Sequence, residues 1–169
     1  MSFVVVPDDV NRKIITLEEL TQLSTRLRSE NECLVATNGC FDILHVGHVR
    51  YLAAARKLGD LLVVGLNGDN SVRQLKGQGR PVNREQDRAE VLAALESVDY
   101  VTIFPEKRAT DFLRAAQAAV YAKGGDYTAA TLDPEERAIL DESGTRIEII
   151  PFEKGYSTSR LLEKLRLTK

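Results

Sequence analysis

Two histidines, His45 and His48, stand three residues apart, and no other histidine occurs among the 169 residues. At that spacing on a helix both rings lie on one side. Gly47, between them, carries no side chain where a ligand could approach closely. A helix N-terminus presents free N–H groups and partial positive charge, so it favours phosphate. Two imidazoles at such an entry add donors for phosphate oxygens, and each ring is neutral or cationic depending on surroundings the sequence does not state. The chemistry these residues suit is the holding of a phosphorylated ligand.

The flanking segments must position the pair. The apolar run at residues 33–36 reads as a buried strand, and residues 49–58 read as a helix with Leu52, Ala55 and Leu58 inward. Between them lies a turn, Asn38, Gly39, Cys40 and Phe41, that offers backbone N–H groups, followed by Asp42. Cys40 reads as a small packing residue, since the chemistry needs no covalent intermediate. A second apolar run, residues 61–67, has the pattern of a strand buried on both faces and ends in polar Asn67. Residues 71–75 read as a short helix. A loop at 76–83 follows, whose two glycines, proline and cations Lys76 and Arg80 suit closure over a phosphate. Arg88 lies in a helix over residues 84–95.

Further strands are expected at 100–104, 119–123 and 146–151, with helices at 110–117 and 134–142. Pro134 stands at a helix start, where its missing N–H costs nothing. The first dozen residues read as a loose arm. A helix over residues 17–28 follows, capped by Thr16 with Glu19 completing a capping box. A last helix, residues 157–166, opens at Ser157 or Thr158 beside Tyr156. Alternating strands and helices demand right-handed crossovers, giving an α/β fold: a five-stranded parallel sheet with helices on both faces. The division expected is an arm and helix at 1–32 and one compact domain at 33–169.

Composition excludes several classes. Twenty-three basic against 25 acidic residues give a net charge of −2, with no basic excess for nucleic acid. No apolar run reaches the length of a membrane span, and the N-terminus has neither a basic start nor a long apolar stretch. Two cysteines, Cys33 and Cys40, do not make a disulfide framework and read as reduced thiols of a cytoplasmic protein. Neither a P-loop nor a G-x-G-x-x-G turn after the first strand is present. Oligomeric state is left open, a homo-oligomer through Val4, Val5 and Val6 being one option.

The run from Thr37 to His48, with Gly39-Cys40-Phe41-Asp42 ahead of His45-Val46-Gly47-His48, resembles the HxGH motif of the nucleotidyltransferase superfamily in its cytidylyltransferase-like branch. Leu75-Lys76-Gly77, Arg80-Pro81-Val82-Asn83, Arg88, Lys123-Gly124-Gly125-Asp126-Tyr127 and Gly155-Tyr156-Ser157-Thr158-Ser159 extend the likeness over roughly residues 33–165. Together they resemble the adenylyltransferase domain of bacterial heptose-1-phosphate enzymes, here as a stand-alone form; many relatives carry it behind a sugar kinase. Tyr156 replaces a glycine of the family pattern.

The resemblance implies a Rossmann-like nucleotidyltransferase fold and transfer of AMP from ATP to a sugar 1-phosphate. It implies His45 and His48 on the triphosphate, His48 nearest the α-phosphate, and Lys76 bridging the phosphates of both substrates. Ser157 and Thr158 would take the β- and γ-phosphates, with Gly124, Asp126 and Tyr156 also on the nucleotide. Asn67 and Lys123 would face the sugar phosphate. Arg88 would hold phosphate or support the loop, and Asp42 would orient the turn or meet Mg²⁺. Mg²⁺ would ride on the triphosphate, held by phosphate oxygens and water. The alternatives are a cytidylyltransferase for glycerol phosphate or another phosphoalcohol, and a non-catalytic nucleotide sensor.

Overall fold

The computed structural model describes residues 8–125 and 131–151. Five strands form one parallel sheet: β1 (Leu34–Gly39), β2 (Leu61–Asn67), β3 (Tyr100–Phe104), β4 (Val120–Gly124) and β5 (Arg146–Ile150), in the order β3-β2-β1-β4-β5. The chain first builds outward from β1 through β2 to β3, then returns to add β4 and β5 on the other side. That reversal opens a crevice above the carboxyl ends of β1 and β4, where open parallel sheets bind ligands. The five-stranded parallel α/β expectation holds.

Helices α1 (Asp8–Asn11), α2 (Leu17–Ser29), α3 (Val46–Arg56), α4 (Asp69–Lys76), α5 (Glu85–Ala93), α6 (Thr110–Ala116) and α7 (Pro134–Glu142) connect and flank the strands. Alternation along the strands sends side chains to two cores. Leu34, Ala36, Val63 and Tyr121 pack against Leu20, Leu23 and Leu27 of α2, Phe112 and Leu113 of α6, and Ile139 and Leu140 of α7. Val35, Leu62, Val64 and Ala122 face the opposite side, against Leu52 and Ala55 of α3 and Ala89 and Leu92 of α5. Gly65 permits this closeness: a Cβ there would lie 2.7 Å from the Phe112 ring.

Local signals behave as their chemistry dictates. The Thr16 hydroxyl accepts from the Glu19 N–H and the Glu19 carboxylate accepts from the Thr16 N–H, completing the capping box. Asp133 caps α7 with Pro134 at its first position. The expected loose arm is corrected in part. From Asp8 the chain forms α1, and Ile14 bridges to Val101, with the Ile15 N–H donating to the Val101 carbonyl at 2.9 Å. Such pairing at a sheet edge depends on a distant strand and leaves little local pattern. The expected helix at 157–166 lies outside the described residues.

Candidate active site

Strand β1 runs three residues further than its apolar pattern, through Thr37, Asn38 and Gly39, and these polar residues carry it to the crevice. Thr37 is fully buried, its hydroxyl 2.7 Å from the Tyr51 hydroxyl, which also donates to the Ala122 carbonyl at 3.0 Å. Tyr51 of α3 thus ties β1 to β4 beneath the site. Helix α3 begins at Val46, three residues earlier than its apolar stripe, because its first turn holds Gly47 and His48 rather than core residues. His45 is the extended residue ahead of it, and its carbonyl accepts from the His48 N–H at 2.9 Å.

The His45 and His48 rings stack with centroids 3.8 Å apart. The Phe41 ring meets His48 edge-on at 5.3 Å, and Phe41 itself holds a left-handed φ of 41° to turn the chain there. Burial, and then the neighbouring His45, push the His48 pKa down to about 4; burial lowers that of His45 as well. Both rings are therefore neutral at pH 7. The Nδ1 of His48 is buried and has no hydrogen-bond partner among the described residues.

A cavity of about 760 Å³ opens here, lined by Asn38, Gly39, Cys40, Phe41, Asp42, His48, Asn67, Leu75, Lys76 and Arg80 from one side. Lys107, Arg108, Lys123, Thr131, Asp133 and Glu136 line the other. Lys76 is the last residue of α4 rather than part of the loop, and Gly77 follows at φ 90°. Burial raises the Cys40 thiol pKa, so it stays protonated at neutral pH and serves as a packing group.

The two residues whose roles the sequence left divided are each tied into the protein's own backbone. Asp42 is buried; its Oδ1 accepts from the Val82 and Asn83 N–H groups at 2.7 and 3.2 Å, and its Oδ2 lies 2.6 Å from Arg80 Nε. Asn83 Nδ2 donates to the Asp42 carbonyl at 2.8 Å. Both carboxylate oxygens hold the 80–83 loop. Arg88 is 2% exposed and donates to the carbonyls of Asn83, Cys40 and Asn67 and to the Asp69 carboxylate at 2.8 Å. Arg88 thereby joins the Cys40 turn, the end of β2 and the Asn83 loop.

Asn67 is buried at the wall, and its Nδ2 donates to Ser71 Oγ at 2.9 Å. Lys123 is buried as well, and its Nζ donates to Asn38 Oδ1 at 2.7 Å. Burial lowers the Lys123 pKa, opposed by the Glu136 carboxylate nearby and by Cys40. Gly124 ends β4, and the Gly125 N–H donates to the Ile150 carbonyl at 2.8 Å. Asp126, Tyr156, Ser157 and Thr158 lie outside the described residues. Among the described residues no group of three or more His, Cys, Asp or Glu side chains is arranged to hold a metal ion.

On the far side of the cavity sequence reading named Lys123 but missed Lys107, Arg108, Thr131, Asp133 and Glu136. Lys107 and Arg108 directly follow β3, so the strand-end rule could have flagged them. Arg108 pairs with Asp133 at 2.9 Å and Glu135 at 3.1 Å, and Glu136 accepts from the Ala109 N–H at 2.9 Å, strapping the β3–α6 turn to α7. Glu136 sits inside a helix with an ordinary polar pattern and carries no such signal. Tyr121, within the strand expected at 119–123, was not singled out; it is fully buried and its hydroxyl reaches Asn38.

Known proteins agree with this geometry. The family model for cytidylyltransferase-like proteins matches residues 36–164. The Bifunctional protein HldE of Geotalea uraniireducens is 46% identical over 158 residues, 94% of this chain. That of Methylococcus capsulatus is 48% identical over 155 residues, 92% of this chain. The chain spans about a third of the length of either relative, 32% and 33%. The crystal structure of the lipopolysaccharide core biosynthesis protein from Thermoplasma volcanium superposes with a TM-score of 0.59 at 28% identity, covering 75% of this chain and 99% of that one. Pantoate-beta-alanine ligase from Francisella tularensis shares the fold at a TM-score of 0.60 and 14% identity, over 89% of this chain and 72% of that one. No helix among the described residues is long and apolar enough to cross a membrane. By its HxGH turn, its strand order and these likenesses, the chain belongs to the cytidylyltransferase-like family of nucleotidyltransferases.

Proposed function

We propose that this chain transfers the adenylyl group of ATP to D-glycero-D-manno-heptose 1-phosphate, giving ADP-heptose and pyrophosphate. One observation carries the reading: His48, Lys76, Arg80 and Lys107 line a single 760 Å³ cavity at the switch point of the sheet. That set of donors suits an acceptor-only polyphosphate. Relatives named HldE, and a structural neighbour named for lipopolysaccharide core biosynthesis, support a sugar phosphate as the second substrate. Lys123-Gly124-Gly125-Asp126-Tyr127 supports the heptose branch within the family.

In the reaction an oxygen of the sugar phosphate attacks the α-phosphorus of ATP in line. The bond from that phosphorus to the bridging oxygen breaks, and pyrophosphate leaves with the electron pair. No covalent enzyme intermediate forms, in keeping with the protonated Cys40. Catalysis is positioning and electrostatic stabilisation. His45 and His48 donate to the triphosphate through neutral rings at the N-terminus of α3. Lys76, at the hinge between α4 and the glycine loop, bridges the phosphates of both substrates. Ser157, Thr158, Tyr156, Gly124 and Asp126 complete the nucleotide side, while Asn67 and Lys123 lie toward the sugar phosphate. The triphosphate oxygens and water would hold Mg²⁺, which would supply charge neutralisation there. The substrates are cytoplasmic metabolites, and the chain works there without nucleic acid or membrane.

Pyrophosphate release from ATP, CTP, GTP and UTP against heptose 1-phosphate, glycerol 3-phosphate and phosphoethanolamine, with Mg²⁺, tests the reading. Turnover with ATP and heptose 1-phosphate alone is the expected result. Turnover with CTP and a phosphoalcohol would overturn base and acceptor and favour the cytidylyltransferase alternative. No turnover in any combination would favour a nucleotide sensor.

A further inference from the structure

Two donors converge on one amide oxygen at the mouth of β1. The Tyr121 hydroxyl donates to Asn38 Oδ1 at 2.5 Å, and Lys123 Nζ donates to the same oxygen at 2.7 Å. An ammonium has hydrogens and no lone pair, so it can meet only the oxygen of an amide. Chemistry thus fixes which way the Asn38 amide faces. Its oxygen points toward β4, and its NH₂ group is left on the other side. Among the described residues that NH₂ has no acceptor, and Asn38 lines the cavity.

Tyr121 is fully buried in the core through its ring, and Lys123 lies against that ring, its Nζ 5.1 Å from the centroid. A buried tyrosine ring could be a phenylalanine as far as packing is concerned. The hydroxyl has a separate role at Asn38. An amide that offers only its NH₂ suits a ligand that only accepts. The cavity's other donors, His48, Lys76 and Arg80, make the same demand. A phosphate oxygen, which only accepts, needs nothing more of an amide than its NH₂.

We propose that Tyr121 is a positioning residue: with Lys123 it holds Asn38 so that the amide Nδ2 donates to a phosphoryl oxygen of the bound nucleotide. This rests on the reading of the cavity as a nucleotide site. It does not depend on the identity of the acceptor sugar.

The test is a double-mutant cycle read as ATP affinity by titration calorimetry, with Mg²⁺ and without any sugar phosphate. Tyr121→Phe keeps the ring and removes the hydroxyl. It is expected to weaken ATP binding about tenfold, the scale of one hydrogen bond to a charged group, with the melting temperature nearly unchanged. Asn38→Ala should weaken binding at least as much. On that background Tyr121→Phe should cost less than about twofold, because Tyr121 acts through Asn38. If Asn38→Ala does not fold, Asn38→Asp takes its place in the cycle, since it keeps the acceptor for both donors and loses the amide donor. Wild-type ATP affinity in Tyr121→Phe, or an equal loss in both backgrounds, would overturn the proposal. A wild-type chain that binds ATP but adenylates no sugar phosphate would overturn the proposed acceptor and leave the cycle readable. A chain that does not bind ATP would overturn both.

Discussion

The imidazoles of His45 and His48 lie nearly parallel, their planes inclined by 19° and their centroids 3.8 Å apart. Two cations could not share that spacing without repulsion, and burial already disfavours charge on His48. Its pKa of about 4 lies below the ordinary 6.5 it regains on unfolding. Between those values the unfolded chain binds more protons than the folded one, so His48 makes stability fall as pH drops from 6.5 toward 4. Below that window both states are protonated and the effect is complete. The melting temperature of the wild type should therefore fall more steeply across this window than that of His48→Asn, with the two profiles running parallel above it. Identical slopes would show that His48 titrates normally in the fold.

A bound triphosphate reverses this balance. Its negative charge favours imidazolium, so ATP should raise the His48 pKa and draw a proton from solution. Calorimetric titrations at about pH 5.5 in buffers of different ionisation enthalpy should report net proton uptake of up to about one, reduced in His48→Asn. Equal uptake by both proteins would place the proton on another group.

Removal of the imidazole altogether tests its role in the reaction. His48→Ala should lower kcat by about 10²–10³, the usual cost of one electrostatic donor at a transferring group. Circular dichroism should show the fold retained, since the ring lies at the cavity and not in either core. Near-normal turnover would remove His48 from the catalytic set.

The sheet was legible because its strands are short apolar runs punctuated by glycine and polar residues, which gave their number, order in the chain and parallel sense. Their ends were less so. Thr37, Asn38 and Gly39 continue β1 although none is apolar, since the edge of a binding crevice is where a strand turns polar. The apolar stripe of α3 starts late for the same reason, and the histidine pair rather than the stripe marked the helix entry. The near wall of the site, from Asn38 to His48 with Lys76, was readable from local spacing. Lys107 and Glu136 were not, because they reach the cavity only through the packing of α6 and α7 against the sheet. The role of the Tyr121 hydroxyl was equally hidden: a partner 83 residues away on the adjacent strand leaves no trace in its own neighbourhood.

Arg88 ties together the backbone around the cavity. It is buried, it donates to three backbone carbonyls, and it pairs with Asp69, whose side chain is 25% exposed. Arg88→Ala would leave those groups unpaired, at a cost of about 3 kcal/mol, the lower end for breaking a buried pair. For a domain of this size that lowers the melting temperature by about 6–12 °C. Arg88→Lys should rescue little, because one ammonium cannot reproduce the fork. A variant with an unmoved melting temperature and weakened ATP binding would instead assign Arg88 to phosphate.

Asp42 controls the loop that carries Arg80. Its carboxylate takes the Val82 and Asn83 N–H groups and the Arg80 guanidinium together, so one side chain fixes three points of the segment. Asp42→Ala would strand those donors at a cost of about 1–3 kcal/mol. Opening of the segment should then become easier, and hydrogen exchange at Val82 and Asn83 should speed by about tenfold or more while exchange in β1 and β2 changes little. Arg80 lines the cavity, so its loss of position should raise KM for a phosphorylated substrate more than it lowers kcat. Asp42→Asn keeps one acceptor for the loop amides and should fall between. Unchanged exchange at the two amides would mean that the loop is held by Asn83 and Arg88 alone.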